Sequence, residues 1–236
     1  MNVTEALFAP LMADSARPLV SHYDDADGTR IELSRATVAN WAAKTANWLR
    51  DEVDMQPGAR VLVALPAHWQ TVGVLLGAWW AGASVTTDPG AGDFEIAFVP
   101  QGFEVEAETV AAVALDPLGR GIRNPEPGTV DYIGEIRVHG DFFRSYAVVP
   151  GDQPALNDLS VDGLVELARS RAAEQGIGEG DRVLSDLDWR SPESIVDGLV
   201  AVVAAGAALV QCTNPDPAKL ADRRRTERIT VDLTSH

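Results

Sequence analysis

The histidines and the single cysteine are the side chains best suited to bind a metal or to act as a base or nucleophile. They stand far apart in the chain, at His22, His68, His139, Cys212 and His236. No two of them have the spacing of metal ligands, so the sequence predicts no metal site. Cys212 follows a run of small apolar residues, and no neighbouring residue is identifiable as its base. This pattern indicates an inert, buried thiol.

His68 is the best single candidate for a site residue. It follows Pro66 at a predicted turn from a strand into a helix. Folds of alternating strands and helices bind ligands at such turns, because the turns lie at the carboxyl ends of the strands. Packing at the start of the helix is the alternative interpretation. The His139-Gly140-Asp141 segment could position a base, but a helix that ends at a glycine explains it equally well.

Two glycine-rich segments invite comparison with phosphate-binding loops. Residues 176–180 (GIGEG) follow a predicted helix and lead into a strand, which is the reverse of the order that places a phosphate at a helix N-terminus. Residues 89–92 (PGAG) do follow a strand, but the residues after them have the pattern of another strand. Both segments are predicted to be turns, and no segment fits the G-x-x-x-x-G-K-[ST] phosphate loop.

The elements that position these residues alternate between strand and helix. The first ones in chain order are a β-hairpin over 17–33, a helix over 34–52, a strand over 60–65, a helix over 66–81 and a strand over 83–87. Ser34 is a good N-cap, Pro66 is predicted to open the second helix, and Gly82 ends it. Strands over 94–99 and 110–115 and a helix over 130–139 come next.

The second part of the chain repeats this order. It contains a helix after Ser160, a strand that ends near Leu184, a helix over 192–206 and a strand over 207–212. The segments GARVL and GDRVL, and AGASV and AGAAL, align at offsets of 122 and 124 residues, which indicates a weak internal duplication. The sequence therefore predicts an α/β protein of three layers, with mostly parallel sheets and helices on both faces. Its single domain has two similar halves, at about 17–140 and 155–233.

The charge of the chain excludes some classes of partner. It has 35 Asp and Glu against 19 Lys and Arg, a formal net charge of −16. Nucleic-acid binding needs a basic surface, and the same negative field repels anionic membranes. No apolar run reaches the roughly 20 residues of a membrane span and no leader segment precedes the first helix, so we expect a cytoplasmic protein. The one obvious basic patch, Arg223, Arg224, Arg225 and Arg228, is a candidate contact for an acidic partner or a second copy.

The order of segments resembles the opening region of the AMP-dependent synthetase and ligase superfamily, which includes acyl-CoA synthetases and peptide-synthetase adenylation domains. The resemblance rests on residues 33–49, on 56–66 (QPGARVLVALP), on 74–83 (VLLGAWWAGA) and on 87–89 (TDP). The second half is similar to a later stretch of the same large domain. The segments WAAKTAN at 41–47, PAHW at 66–69 and HGD at 139–141 resemble more closely a small family that is only distantly similar to those enzymes.

The chain departs from that superfamily where the chemistry is done. The resemblance implies a Ser/Thr/Gly-rich loop ending in Pro-Lys-Gly between the halves, where backbone N–H groups and a lysine neutralise the leaving pyrophosphate. Residues 146–156 (YAVVPGDQPAL) stand there instead, without a lysine and with an added aspartate, Asp152. The superfamily's Tyr-Gly-x-Thr-Glu element, ribose-binding aspartate and C-terminal catalytic lysine have no counterpart in the sequence. We therefore predict no catalytic residue, no cofactor and no metal.

Two functional hypotheses follow from this comparison. The first is a non-catalytic binding or regulatory module, a pseudoenzyme that contacts another protein or forms a homo-oligomer. The alternative is a nucleotide- or acyl-ligand-binding protein, or a divergent ligase, that uses the cleft between the halves; only this alternative implies ATP or AMP. Its first candidate residues are His68, Asp88, Asp152 and Asp188.

Overall fold

The computed structural model describes residues 1–235. The α-helices are α1 Val3–Leu7, α2 Arg35–Asp51, α3 Trp69–Ala81, α4 Tyr132–Ile136, α5 Val161–Glu174, α6 Pro192–Ile195, α7 Ala201–Ala204 and α8 Pro217–Thr226. A 3-10 turn, Ala9–Asp14, follows α1, and a π-helical turn, Val196–Val200, joins α6 to α7. The strands are β1 Pro18–Asp24, β2 Thr29–Ser34, β3 Arg60–Val63, β4 Ser84–Thr86, β5 Ile96–Pro100, β6 Thr109–Val113, β7 Thr129–Asp131, β8 Pro154–Leu156, β9 Leu159–Ser160, β10 Arg182–Ser185, β11 Ala208–Thr213 and β12 Val231–Asp232.

The strands form two sheets that are parallel except at two hairpins. The order is β12-β10-β11-β1-β2 in the five-stranded sheet and β7-β6-β5-β3-β4-β8-β9 in the seven-stranded sheet. Only the pairs β1–β2 and β8–β9 are antiparallel. This is the α/β fold with mostly parallel sheets that the alternation of strand and helix patterns predicts.

Each sheet takes strands from both predicted halves. The hairpin of β1 and β2 belongs to the half at 17–140, yet β1 pairs with β11, a strand of the half at 155–233. Conversely, β8 lies on the boundary of the half at 155–233 but pairs with β4. The repeated segments lie in β3-α3-β4 and in the unit from β10 to β11 with its helices. Each unit therefore pairs with a hairpin from the other part of the chain: β1 and β2 extend the sheet of β10 and β11, and β8 and β9 extend the sheet of β3 and β4.

One large apolar core joins both sheets to the helices. Val20 and Leu209 of the five-stranded sheet belong to the same cluster as Val61 and Ile96 of the seven-stranded sheet. Helix α2 lies between the sheets, since it contacts β1 and β2 on one side and packs Trp48 against β5 on the other. Helix α8 covers the second face of the five-stranded sheet, and loop segments cover the second face of the seven-stranded sheet. No helix in residues 1–235 is both long and apolar enough to cross a membrane.

Helix α3 begins three residues later than the proline predicts. Pro66 and Ala67 lie before the helix, and His68 is the N-cap, with its Nδ1 accepting a hydrogen bond from the Gln70 N–H at 3.1 Å. The side-chain cap decides the helix start, because it satisfies a donor that the preceding proline does not. The predicted helix over 130–139 is also shorter, since residues 129–131 form β7 and only Tyr132–Ile136 is helical.

Helices α2 and α3 pack closely at Gly77. A Cβ atom at this position would lie 2.5 Å from Thr45 Cβ and 2.7 Å from the Ala42 carbonyl oxygen, which is backbone and cannot rotate away. We expect Gly77→Ala to lower the free energy of unfolding by about 1–3 kcal/mol or more, despite the higher helix propensity of alanine. Urea unfolding would measure the change. Gly163→Ala in α5 is the control, because its nearest contact is the Ser160 hydroxyl at 3.2 Å; equal effects would contradict the packing argument.

Candidate ligand-binding cleft

The carboxyl ends of strands from both sheets meet at a cleft. Strands β3, β4 and β5 end on one side of it, and β10 and β11 end on the other. Two cavities occupy the cleft, of about 230 Å³ and about 350 Å³, and Pro66 and Arg190 line both. Parallel α/β sheets bind their ligands at this edge, so the cleft is the candidate functional site.

The smaller cavity is polar. Asp186, Asp188, Arg190 and Gln211 lie in its lining, together with Thr213. Arg190 Nε lies 2.9 Å from Asp188 Oδ2, and both side chains are largely exposed. Asp186 accepts hydrogen bonds from the Ser235 N–H at 3.2 Å, which brings the end of the described chain to the rim of the cleft. The lining therefore contains two carboxylates and one guanidinium and carries a net negative charge.

The larger cavity is mostly apolar. Apart from Thr87 and Arg190, it is lined by Val63, Ala64, Pro66, Pro89, Pro100 and Phe103. Three prolines make this wall stiff, because their backbone φ angles are fixed. An apolar group of modest size can occupy this cavity while a polar group reaches the smaller one.

A pair of buried histidines lies beneath the cleft. The rings of His22 and His68 are edge to face with centroids 4.5 Å apart. Thr213 Oγ1 donates to the Ala67 carbonyl at 2.9 Å, so the 2.8 Å contact to His22 Nε2 is a hydrogen bond from the imidazole to the hydroxyl. His68 Nδ1 is an acceptor at the N-terminus of α3. Both imidazoles are therefore neutral and hold the floor of the cleft in place.

Burial keeps both rings uncharged. Loss of solvation lowers the pKa of His22 to about 4, although the Asp24 carboxylate and the Ala67 backbone oppose this. Loss of solvation also lowers the pKa of His68, to about 3, and the proximity of His22 lowers it further. At neutral pH neither ring can act as a general acid, because neither carries the proton to be donated.

The structure brings together only part of the predicted set. Asp188 lines the cleft and His68 lies beneath it. Asp88 follows β4 at the same sheet edge, but its side chain caps its own loop by accepting from the Gly90 N–H at 2.8 Å and lines a different cavity. Asp152 precedes β8 and is exposed at the opposite edge of the sheet. Distance along the strands therefore separates Asp152 from the other three candidates.

The sequence interpretation missed the other polar residues of the cleft. Gln211 lies within a predicted apolar strand, and a polar residue inside such a run is the signal that could have found it. Arg190 follows β10 at the position where a ligand-contacting residue is expected. His22 and Thr213 gave no signal, because their partners are 191 and 146 residues away in sequence.

Cys212 and the predicted basic patch are used inside the chain. Arg223 is buried, donates to both oxygens of Asp25 at 2.8 and 3.1 Å, and donates to Cys212 Sγ at 3.1 Å. Burial raises the pKa of the Cys212 thiol to about 11, although Arg223 opposes the shift. Arg224 and Arg225 pair with Asp232 and Asp222. Arg225 and Arg228 remain exposed.

The described residues contain no group of three or more His, Cys, Asp or Glu side chains placed to hold a metal ion. His22 and His68 are neighbours in space, which their spacing in sequence did not indicate. His139 lies elsewhere, with its Nε2 2.9 Å from Glu52 Oε1. His236 lies outside the described residues.

The family of the chain is decided by a relative from Mycobacterium tuberculosis. That protein, a TIGR03089 family protein, is 43% identical over 240 residues, which cover 97% of each chain. The chain belongs to the TIGR03089 family. No family model matches it. The resemblance to a small family, which the WAAKTAN, PAHW and HGD segments indicated, thus extends to a relative that matches nearly the whole chain.

Solved structures show which fold the TIGR03089 chain has. The Brucella canis acyl-CoA synthetase matches 99% of this chain with a TM-score of 0.79 at 17% identity, and the anthranilate CoA ligase AuaEII, solved with anthranoyl-AMP, matches 94% with a TM-score of 0.73 at 14% identity. The chain spans 47% and 46% of those two proteins. The resemblance to the adenylate-forming superfamily is therefore confirmed at the level of the fold.

Proposed function

We propose that this TIGR03089 protein is a non-catalytic binding module that accepts a small molecule in the cleft and does not adenylate it. The observation that carries the proposal is the charge of the cleft: the lining of the smaller cavity contains Asp186 and Asp188 but only one cation, Arg190. Adenylation requires cationic groups that stabilise the negative charge of the departing pyrophosphate. A lining with excess carboxylate opposes that charge.

The segment in place of the phosphate loop supports the same proposal. Residues 146–156 have no lysine, and their end runs into β8, parallel to β4. Gln153 Nε2 donates to the Gly82 carbonyl, which precedes β4, at 2.7 Å. This contact holds the segment at the amino end of the strands, whereas the cleft lies at the carboxyl end. The segment therefore offers the cleft neither a cation nor a row of backbone N–H groups.

The alternative is that the cleft binds a nucleotide or an acyl adenylate. The AuaEII structure contains anthranoyl-AMP, and a chain of the same fold could retain part of that capacity. The net negative lining favours the first proposal, because a triphosphate or an adenylate would bring further negative charge.

Thermal-shift measurements on the wild-type protein and on a variant with a narrowed cavity test whether the cleft binds a small molecule. A small molecule present at ten times its Kd stabilises the folded state by about 1.4 kcal/mol, which raises Tm by about 3–5 °C for a chain of this size. We expect Ala64→Leu, which narrows the apolar cavity, to abolish the shift, and the exposed Ala147→Leu to retain it. A shift with Mg-ATP that Ala64→Leu abolishes would contradict the proposal, because it would place a nucleotide in the cleft.

Association with another copy of the chain is the regulatory part of this proposal. Four large apolar side chains are exposed in one segment, Val138, Phe142, Tyr146 and Val148, each at 77–86% of its full accessible area. Exposed apolar groups clustered in this way are typical of protein interaction sites. We expect light scattering to give a mass above 25.2 kDa and Phe142→Ser with Val148→Ser to reduce it. A strictly monomeric wild-type protein would contradict the homo-oligomer.

A cytoplasmic location remains our expectation.

A further inference from the structure

Gln211 presents an unused acceptor at the cleft. Its side chain is 1% exposed and lines the smaller cavity. The amide Nε2 donates to the Leu187 carbonyl at 3.1 Å and contacts the Cys212 carbonyl at 3.4 Å. Both partners are carbonyl oxygens, so the amide orientation is fixed with Nε2 toward them. Oε1 is then buried and has no hydrogen-bond partner within residues 1–235.

An acceptor in this position requires a donor. A buried polar atom without a partner costs free energy, and a group that supplies the missing hydrogen bond recovers it. The cations nearby are committed elsewhere: Arg190 pairs with Asp188, and Arg223 pairs with Asp25 and Cys212. A donor carried by an occupant of the cavity would supply the missing hydrogen bond.

The charge of the lining selects among donors. Asp186 and Asp188 outnumber Arg190, so the cavity attracts a positive charge and repels a carboxylate. An alcohol supplies a hydrogen bond without charge, whereas a protonated amine supplies both. Hydrogen bonds in which the donor is ionised are stronger than neutral ones.

The adjoining cavity sets the remainder of the ligand. Its volume of about 350 Å³ and its wall of prolines with Phe103 suit a compact hydrocarbon body. Arg190 lies where the two cavities meet, so one ligand can occupy both. This arrangement places a polar head beside Gln211 and an apolar body against Pro66 and Pro100.

We propose that the ligand is a primary organic amine with a compact apolar body, whose ammonium group donates to Gln211 Oε1. The proposal rests on the proposed function, because it names the ligand class of the same cleft. It also sets this chain apart from a carboxylate-activating enzyme, since the group recognised carries the opposite charge.

Three compounds with the same body test the ligand class: 3-phenylpropylamine, 3-phenylpropan-1-ol and 3-phenylpropionate. We expect isothermal titration at low salt to show the amine binding at least about tenfold more tightly than the alcohol, and the carboxylate more weakly still. Equal affinities for the amine and alcohol, or tighter binding of the carboxylate, would overturn the proposal. If an acyl adenylate binds and the amine does not, this inference fails while the cleft remains a binding site. If none of them binds, both proposals fail.

Two variants separate the hydrogen bond from the charge. Gln211→Met keeps the length of the side chain but removes the acceptor, together with the Nε2 donor to Leu187, and we expect amine affinity to fall at least fivefold. Asp188→Asn is at the surface and should fold normally; we expect it to weaken the amine several-fold and leave the alcohol unchanged. Amine binding that neither variant alters would show that it occurs away from the cleft and would overturn the proposal.

Discussion

Replacing Arg223 with alanine is expected to lower the free energy of unfolding by about 3–5 kcal/mol. The side chains of Arg223 and Asp25 are only 7% and 3% exposed, and they are joined by two hydrogen bonds. The guanidinium also lies over the ring of Tyr23 at 4.0 Å. Removing it leaves the buried Asp25 carboxylate with only the more distant Lys219, whose Nζ lies 3.6 Å from Oδ1, and the loss of the close cation costs more than the lost pair itself.

Arg225→Ala is the matched control for Arg223→Ala. Both arginines lie on α8 and both pair with an aspartate, but Arg225 and Asp222 are 77% and 65% exposed. An exposed ion pair contributes little, so we expect a change within about 0.5 kcal/mol. Urea unfolding of both variants makes the comparison. Similar losses in the two variants would show that the Arg223 cluster contributes no more than a surface pair.

Acidification is expected to destabilise the fold between about pH 6.5 and pH 4.5. The unfolded chain takes up protons on His22 and His68 below about pH 6.5, but the folded chain does so only near pH 4 and pH 3. The unfolded state therefore binds more protons in this window, and the free energy of unfolding falls as the pH falls. Each imidazole accounts for about 2–3 kcal/mol at pH 4.5.

His68→Asn tests the assignment of this pH dependence. Asparagine is among the best N-cap residues, so the variant retains a cap for α3 while it removes one titrating group. We expect the slope of unfolding free energy against pH, measured between pH 7 and 4.5, to fall by about half. An unchanged slope would mean that groups other than the buried imidazoles titrate in this window.

Local patterns were sufficient to predict most elements. The cap at Ser34 and the stop at Gly82 are set by residues adjacent in sequence, and the hairpin, the helix α2 and the end of α3 were correctly predicted. The start of α3 was wrong by three residues, because proline and a side-chain cap compete and the histidine cap prevails. The sequence therefore predicts helix boundaries best where the deciding interaction lies within one helical turn.

The cleft was only partly predictable, for a physical reason. Asp188 and His68 follow strands, and the rule that ligands bind at carboxyl ends was enough to select them. Gln211 became a candidate only once the structure showed its acceptor without a partner. The exchange of the hairpins between the sheets, which brings His22 beneath the cleft, depends on pairing between β1 and β11 across almost the whole chain. No local pattern encodes such a contact.

The proposed function requires that this chain, with the fold of an adenylate-forming enzyme, binds a small molecule without adenylating it. Exchange of labelled pyrophosphate into ATP, measured with purified protein, Mg²⁺ and a panel of aliphatic and aromatic carboxylic acids, tests it most directly. We predict no exchange above the level without protein, because the carboxylate-rich cleft does not stabilise the pyrophosphate. Saturable exchange that depends on one of the acids, and that Ala64→Leu abolishes, would contradict the account.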